Sequence, residues 1–411
     1  MNGKHPYEPA EIASVSGKIP LARPGVADPA AVGRAVEAIL RSGILTNGSY
    51  VRRLEERAAE YLEVRHCVAV SSCTSGLMLV LRAAELTGEV IVPSFTFAAT
   101  AHAVDWNGLS PVFADVSADT LTLSPNAVEA AIGMRTSAIL ATHLYGTPCD
   151  VEGLAELANR HGVRLFFDAA HAFGSRHAGR MVGGFGDAEV FSLSPTKVLV
   201  AAEGGIIATD DDLLAERCRI GRDYGNPGDY DCRFVGLNAR MSELHAATAL
   251  ASFSDLEERL WERARLVAVY REALDGMAGV SFPSVPEGDR STYKDMTVLI
   301  DADTFGCAAG DVAEALATEG VETRRYYDPP VHRMRAYGGR GRTGVGGLPV
   351  TERISGSVLT LPLWVGMVDR QIWGVAKTLE RIRRWAKGDD LRRGDAEKIR
   401  GAAYGSGGQG A

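Results

Sequence analysis

Short apolar runs alternate with amphipathic stretches over roughly the first 250 residues. The runs are bounded by turn-forming residues and read "HCVAVSS", "EVIVP", "PVFADV", "SAILATHLYG", "VRLFFDAA" and "GIIATD". Between them lie stretches with the apolar spacing of helices, such as "TSGLMLVLRAAEL" and "VEGLAELANRHG". Strands that alternate with helices indicate an α/β fold, with a mainly parallel sheet covered by helices.

The pattern changes in the last third of the chain. A long amphipathic helix, "DLEERLWERARLVAVYREAL", is followed by apolar runs and further helical stretches, which together predict a small α+β domain. We therefore predict a large domain over residues 18–250 and a small C-terminal domain over residues 251–388. Polar composition predicts a flexible N-terminal segment (1–17) and a disordered tail (389–411). The Gly- and Arg-rich stretch 337–347 is typical of a mobile loop.

Composition narrows the classes of function. The 411 residues are 46% hydrophobic and 23% charged, as in ordinary globular proteins, and the net charge of −8 argues against a nucleic-acid-binding surface. No apolar run approaches the roughly eighteen residues of a membrane helix, and the N-terminus lacks the apolar core of a secretory signal. We therefore expect a cytoplasmic protein without a membrane partner. Six cysteines without a C-x-x-C pair indicate reduced thiols and no metal site.

One lysine lies where an apolar segment offers it no obvious partner. Lys197 stands within "FSLSPTKVLVAAEGG", between an apolar run and a glycine pair. A buried ammonium without a partner costs several kcal/mol or loses its proton. Lys197 therefore either points outward from a strand end, as most lysines do, or its amine takes part in chemistry.

Three further features have both a structural and a chemical interpretation. Asp168 ends the run "VRLFFD", where ligands bind in α/β sheets, but it could simply cap the next helix. His171 follows it and could be an ordinary turn residue. Thr74 and Ser75 begin a helix whose free N–H groups suit a phosphate, although a capped helix without ligand explains them equally well.

Together these features form one coherent hypothesis. A phosphate cradle, an aromatic ring at Phe97, the carboxylate of Asp168 and the amine of Lys197 are the groups that pyridoxal 5′-phosphate (PLP) requires. PLP needs a lysine for its Schiff base, an anion for its pyridine nitrogen and a flat surface against its ring. This hypothesis gives Lys197 a reason to lie within an apolar segment.

The sequence also resembles a known family over residues 18–385. The motifs "SSCTSGL", "VPSFTFAAT", "HLYGTPCDV", "FFDAAHAFGS", "FSLSPTKVLVAAEGG", "GLNARMSELHAA" and "LPLW" occur in the order of the DegT/DnrJ/StrS sugar aminotransferases. Those enzymes have the fold-type I architecture of PLP-dependent transferases, with a large and a small domain. The sequence departs from the common pattern at Thr147, often Gln in relatives, and at Cys73, often Gly.

The resemblance implies roles for four residues around the cofactor ring. Lys197 matches the Schiff-base lysine, which also moves the proton between cofactor and substrate carbons. Asp168 would bind the protonated pyridine nitrogen, and His171 would approach the 3′-hydroxyl. Phe97 would stack on the ring. We take Lys197, Asp168 and His171 as the predicted catalytic residues.

The remaining predicted contacts involve the phosphate and the substrate. By the resemblance, Thr74, Ser75 and Ser192 would hold the phosphate, while Asn238 would reach it from a neighbouring subunit. The active site would then exist only in a homodimer. The resemblance also assigns substrate contacts, which we expect at Arg240, Tyr326, Tyr327 and His332.

Members of the family move an amino group from glutamate or glutamine to a keto sugar. The expected acceptor is dTDP-4-keto-6-deoxy-D-glucose, giving a dTDP-4-amino-4,6-dideoxyhexose for secondary metabolism, and amination at C3 is the main alternative. A dehydratase of the same fold would carry His in place of Lys197. A regulatory relative would be expected to lack Asp168 or Lys197, and both are present. A nicotinamide dehydrogenase is excluded because no G-x-G-x-x-G follows the first strand.

Overall fold

A mainly parallel sheet forms the centre of the protein. The computed structural model describes residues 18–338 and 341–388. Within them the large sheet has eight strands: β1 (His66–Val70), β2 (Glu89–Pro93), β3 (Ser110–Ala114), β4 (Thr136–Thr142), β5 (Arg164–Asp168), β8 (Ala188–Ser192), β9 (Gly205–Thr209) and β12 (Arg342–Thr343). They lie in the order β1-β9-β8-β5-β4-β2-β3-β12. Strand β9 runs antiparallel to both of its neighbours, and the other pairs are parallel.

Helices follow most strands, as the sequence pattern predicts. Those of the first 252 residues are α1 (Pro29–Ser42), α2 (Ser49–Leu62), α3 (Cys73–Ala83), α4 (Ala98–Trp106), α5 (Pro125–Ala131), α6 (Val151–His161), α7 (Asp212–Gly221) and α8 (Glu243–Ser252). The later ones are α9 (Leu256–Ala273), α10 (Ala302–Phe305), α11 (Ala309–Thr318), α12 (Pro349–Ser357) and α13 (Asp369–Lys387). Among the described residues no helix is both long and apolar enough to cross a membrane.

Helices cover both faces of the sheet, so its central strands are apolar on both sides. Phe166 and Phe167 are adjacent in β5 and fully buried, yet they belong to different apolar layers. Successive side chains of a strand point to opposite faces, so this one dipeptide supplies both layers. The continuous apolar runs of the sequence follow from this arrangement, and the predicted α/β class is confirmed.

A second apolar core surrounds a smaller antiparallel sheet. This sheet has the order β10-β11-β13, formed by β10 (Val280–Ser281), β11 (Met296–Ile300) and β13 (Val358–Leu361). The core also includes Ile19, which forms a bridge with Val321. Two short strands, β6 (Arg176–His177) and β7 (Arg180–Met181), form a separate hairpin.

The division into two domains stays a prediction, with two features that cross the proposed boundary. Ile19 joins the second core from the start of the predicted large domain, and β12 joins the large sheet from within residues 251–388. Part of the stretch predicted as a mobile loop therefore forms a sheet edge. The predicted segments 1–17 and 389–411 lie outside the described residues.

A buried carboxylate fastens the start of α2 to the start of α8. Glu243, 2% exposed, accepts hydrogen bonds from the N–H groups of Gly48, Tyr50 and Val51, each at 2.9 Å. A Cβ at residue 48 would lie 2.5 Å from Glu243 Oε2, so glycine there gives the carboxylate room. Glu243 thus serves as the cap of a helix distant in sequence, where negative charge is favourable.

We expect Glu243→Ala to destabilise the protein by about 3 kcal/mol or more, because three N–H groups lose a charged acceptor. Glu243→Gln keeps one acceptor and should cost less. The free energy of unfolding in urea measures the effect, with Glu314→Ala on the exposed side of α11 as control, expected within about 0.5 kcal/mol of wild type. Equal unfolding midpoints for Glu243→Ala and Glu314→Ala would contradict this role.

Candidate active site

The carboxyl ends of neighbouring strands open into one cavity of about 320 Å³. β4 ends at Thr142, which lies level with Asp168 at the end of β5, and β8 ends at Ser192. This edge of a parallel sheet is where ligands bind in α/β proteins. Of the predicted site residues, those that line the cavity are Thr74, Phe97, Asp168, His171, Ser192, Lys197, Tyr326 and Tyr327.

Asp168 is buried and accepts hydrogen bonds from a hydroxyl and from a backbone N–H. The hydroxyl of Thr100 donates to Oδ2 at 2.6 Å, and the N–H of Ala170 donates to Oδ1 at 3.1 Å. Thr96 continues the hydroxyl chain, with its Oγ1 3.0 Å from that of Thr100. Burial raises the pKa of Asp168, while the two hydrogen bonds act in the opposite direction. The carboxylate therefore has a fixed orientation, and the cavity that it lines can accept a cationic partner.

Lys197 lies on the loop between β8 and β9, with its backbone N–H donating to Ser194 O at 3.0 Å. Burial lowers the pKa of its amine to about 8, helped by the positive charge of Lys294 and opposed by nearby negative groups such as Asp295 and Asp168. A substantial neutral fraction near neutral pH is what a nucleophilic lysine needs. Lys197, whose environment the sequence left ambiguous, therefore lines the cavity.

His171 is present as a neutral imidazole. Its Nδ1 accepts a hydrogen bond from the N–H of Tyr145 at 3.2 Å, so its proton resides on Nε2. Burial lowers the pKa of His171 well below its ordinary value, and the charges of Lys197 and Lys294 act in the same direction. The ring can thus donate one hydrogen bond from Nε2 without carrying charge.

The start of α3 carries Thr74 and Ser75, two of the three residues predicted to hold the phosphate, and this role stays a prediction for both. The helix begins at Cys73, and Ser72 and Ser75 form a reciprocal capping box: Ser72 Oγ accepts from the N–H of Ser75 at 3.1 Å, and Ser75 Oγ accepts from that of Ser72 at 3.0 Å. Ser72 and Thr74 line the cavity, whereas the Ser75 hydroxyl bonds within the cap. The sequence alone could not assign which hydroxyl serves the cap.

Aromatic side chains border the cavity on another side. Phe97 is 60% exposed although it lies next to the apolar sheet, and its ring centroid is 6.4 Å from that of Tyr327. Tyr326 and Tyr327 also line the cavity, and the hydroxyl of Tyr145 donates to the carbonyl of Tyr326. Exposed aromatic surface at a cavity is available to a flat ligand.

Three predicted contacts lie elsewhere in the chain. His332 bonds Ser94 Oγ through Nδ1 at 2.7 Å and approaches Glu352 through Nε2 at 3.3 Å. Arg240 forms an ion pair with Asp223 at 3.1 Å and donates to Asn238 Oδ1 at 3.3 Å. None of the three is among the cavity-lining residues. The substrate contact of His332 and the roles of Asn238 and Arg240 in a neighbouring subunit's site stay predictions.

Sequence reasoning missed several residues of the cavity wall. Lys294 and Asp295 line it from the second core, and Thr96 and Thr142 line it from the large sheet. A signal was present for the first two, since "TYKDMTVLID" places adjacent opposite charges immediately before a buried strand. Which cavity that pair would face depends on the packing of the two cores.

The residues present fit PLP. They offer a primary amine of lowered pKa, a buried carboxylate, a neutral imidazole donor, hydroxyls at a helix N-terminus and an exposed aromatic ring, all around one cavity of about 320 Å³. These are the groups that its aldehyde, pyridine nitrogen, ring oxygen, phosphate and ring face require.

Comparison with known proteins agrees with this geometry. The profile of the DegT/DnrJ/EryC1/StrS aminotransferase family matches residues 29–380. The chain belongs to this family. It is a PLP-dependent sugar aminotransferase, and the predicted enzyme class and cofactor are confirmed.

Two curated relatives and one solved structure are among the similar proteins. The dTDP-4-amino-4,6-dideoxy-D-glucose transaminase of Escherichia coli is 32% identical over 88% of this chain and 98% of its own. The dTDP-3-amino-3,4,6-trideoxy-alpha-D-glucose transaminase of Streptomyces venezuelae is 34% identical over 86% and 91%. The crystal structure of DesI with its TDP-sugar product superposes with a TM-score of 0.86 at 40% identity, covering 92% of this chain and 98% of DesI.

We expect the cofactor-free aminotransferase to take up PLP at a rate that follows deprotonation of Lys197. Because the pKa is lowered to about 8, the second-order rate should rise about tenfold per unit of pH below 8 and level off above it. Stopped-flow absorbance of bound PLP measures the rate, and Lys197→Met should show no covalent uptake. A midpoint near that of an ordinary lysine would be inconsistent with the buried, charge-perturbed amine.

Proposed function

We propose that this aminotransferase transfers the amino group of L-glutamate or L-glutamine to dTDP-4-keto-6-deoxy-D-glucose, giving a dTDP-4-amino-4,6-dideoxyhexose for secondary metabolism. The observation that carries the proposal is that Lys197 and Asp168 line one cavity at the carboxyl edge of the sheet. The likeness to DesI, solved with a TDP-sugar product, and to the Escherichia coli enzyme supports the choice of acceptor.

We assign the following tasks to the residues of the cavity. When bound, PLP serves as the electron sink that stabilises negative charge on the substrate carbon. Asp168 would hold a proton on the pyridine nitrogen, and the Nε2–H of His171 would donate to the ring oxygen. The free amine of Lys197 would move a proton between the substrate carbon and the cofactor carbon. Thr74 and Ser192 would bind the phosphate, and Phe97 would orient the ring.

Amination at C3 is the second candidate. The Streptomyces venezuelae relative, which is named for a 3-amino sugar, is 34% identical to this chain, close to the 32% of the 4-amino relative. The same lysine and carboxylate serve either chemistry, since the position of the ketone depends on how the sugar is oriented above them. The carbon that is aminated is therefore decided by contacts to the sugar.

We also propose a homodimer that shares its two active sites. Asn238 and Arg240 carry polar groups shortly before the start of α8 and are not among the residues that line the cavity of their own chain. A C2 dimer could place this pair against the partner's cavity, where Asn238 would reach the phosphate and Arg240 the substrate.

We expect the PLP-loaded enzyme to lose its visible absorption band when L-glutamate or L-glutamine is added and to regain it with dTDP-4-keto-6-deoxy-D-glucose. The band reports whether the cofactor carries the amino group, so each half-reaction is observed separately. NMR of the product identifies the aminated carbon, and the dTDP-3-keto isomer tests the second candidate. Lys197→Met serves as control and should show neither change. Failure of every amino donor to alter the wild-type band would refute the proposed function.

A mixing experiment tests the shared sites. Lys197→Met and Asn238→Ala should each have little activity, yet after subunit exchange in an equal mixture the activity should return to about a quarter of wild type. Half of the dimers are then mixed, and each mixed dimer holds one site with both native residues. Activity that stays at the level of the separate variants would mean that Asn238 does not act across subunits.

A further inference from the structure

A second cavity lies beside the first and shares part of its wall. It has a volume of about 160 Å³, and Lys197, Lys294, Asp295 and Tyr326 line both cavities. The reacting amine therefore lies at a junction, with the predicted cofactor cavity on one side and the second cavity on the other. Other residues of the second cavity come from the N-terminal segment 21–25, from α9 and from the "LPLWV" stretch after β13.

The second cavity is strongly cationic for a chain with a net charge of −8. Among its lining residues are five basic side chains and two carboxylates: Arg23, Lys197, Arg259, Arg263 and Lys294, with Asp255 and Asp295. Even without Lys197, whose amine is the reacting group, basic side chains outnumber carboxylates by four to two. Clefts lined mainly by one sign of charge concentrate ligands of the opposite sign. A negatively charged ligand is therefore favoured at this junction.

Lys294 and Asp295 form a nearly buried ion pair in the shared wall. Their side chains are 10% and 6% exposed, and Nζ lies 2.8 Å from Oδ1. Nζ also lies 5.6 Å from the ring centroid of Tyr326. The second carboxylate oxygen of Asp295 is buried and has no hydrogen-bond partner among the described residues.

Arg263 stabilises the backbone of this ion pair through hydrogen bonds. The buried guanidinium donates to the carbonyl oxygen of Tyr293 at 2.9 and 2.6 Å and to that of Lys294 at 2.6 Å. The N–H of Lys294 donates to Tyr145 O at 2.8 Å, which ties the pair to the large sheet's side of the cavity. The guanidinium of Arg263 is therefore occupied by backbone carbonyl groups, whereas Lys294 lines both cavities.

Arg259 and Arg23 define the other side. Arg259 bonds Asp255 Oδ2 at 2.7 Å and Gly25 O at 2.8 Å, so it fastens the N-terminal segment over the cavity. Arg23 lies on that segment, with its guanidinium carbon 5.3 Å from the ring centroid of Trp364. Stacking leaves the edge of a guanidinium free to bind oxyanions in the plane of the group.

We propose that the second cavity is an oxyanion-binding subsite of the aminotransferase, in which Arg23 and Lys294 bind a carboxylate or phosphate group of a substrate. The inference rests on the proposed function, because it places the charged end of the substrate at a fixed distance from the reacting amine. Two sources supply this chemistry: a carboxylate of the amino donor and the diphosphate of the nucleotide sugar. Ion pairs between oxyanions and such cations are charge-assisted and directional.

The test is calorimetric titration of the PLP-bound enzyme with two probes, one for each source. Glutarate carries two carboxylates but no amine to transfer, and thymidine diphosphate carries the diphosphate without the sugar. We expect Arg23→Met and Lys294→Met each to weaken one or both probes by at least about tenfold, since a charged hydrogen-bond partner is lost. Arg23→Lys and Lys294→Arg should retain part of the affinity.

The control is Arg271→Met, which removes the same charge from an exposed position of α9 that lies outside both cavities. It should bind both probes as wild type does. Thermal unfolding and retention of the bound-PLP spectrum verify that each variant is folded. Arg23 is exposed, so its substitution tests the subsite even if Lys294→Met, which leaves Asp295 unpaired, fails to fold.

Each pattern of results has one meaning. If the variants weaken only glutarate binding, the subsite binds the donor carboxylate. If they weaken only thymidine diphosphate binding, it binds the nucleotide. If they weaken both, the subsite is used in both half-reactions. Wild-type affinity for both probes in Arg23→Met and in folded Lys294→Met overturns the inference, as does a wild type that binds neither. The proposed function fails separately, when amino donors leave the wild-type spectrum unchanged.

Discussion

The burial of the Lys197 amine beside other charged groups is the constraint on which the rest of the site depends. Burial disfavours the ammonium form of Lys197, and the positive charge of Lys294 adds to that effect, so the pKa lies near 8. Asp168 and Asp295 act in the opposite direction and keep the shift moderate. The neutral form is the nucleophile, so the same desolvation that opposes the charge makes the group reactive near neutral pH.

The sheet supplies the rigidity that such an arrangement needs. Asp168 ends β5 in register with Thr142 of β4, and a chain of hydroxyls through Thr96 and Thr100 fixes its carboxylate. His171, three residues later, is fixed as a neutral donor by the N–H of Tyr145. Each of these two groups is oriented by a partner from another element of the chain, so the site is ordered without a ligand.

The two cavities that meet at Lys197 suit a reaction with two unlike substrates. An amino acid and a nucleotide sugar share few features, but both carry oxyanions at some distance from the reacting carbon. A cationic subsite beside the amine could orient either one, while Arg263 and Arg259 are engaged in holding the surrounding backbone. Arg259 and Arg263 bond backbone carbonyl groups, whereas Arg23 and Lys294 are the proposed ligands of the oxyanion. The packing of the two apolar cores determines which side chains take which role.

The sequence by itself determined the α/β alternation, the enzyme family and the central groups, because buried strands, strand-end carboxylates and an isolated lysine leave local patterns. Tertiary packing decided the rest. It placed Ser75 in a helix-capping box, bonded His332 to Ser94, and added Arg342–Thr343 to a sheet edge. It also brought Lys294, 97 residues beyond Lys197 in the chain, into the same wall. Such contacts depend on how two cores pack against each other, and no local pattern of residues predicts a contact between positions so far apart in the chain.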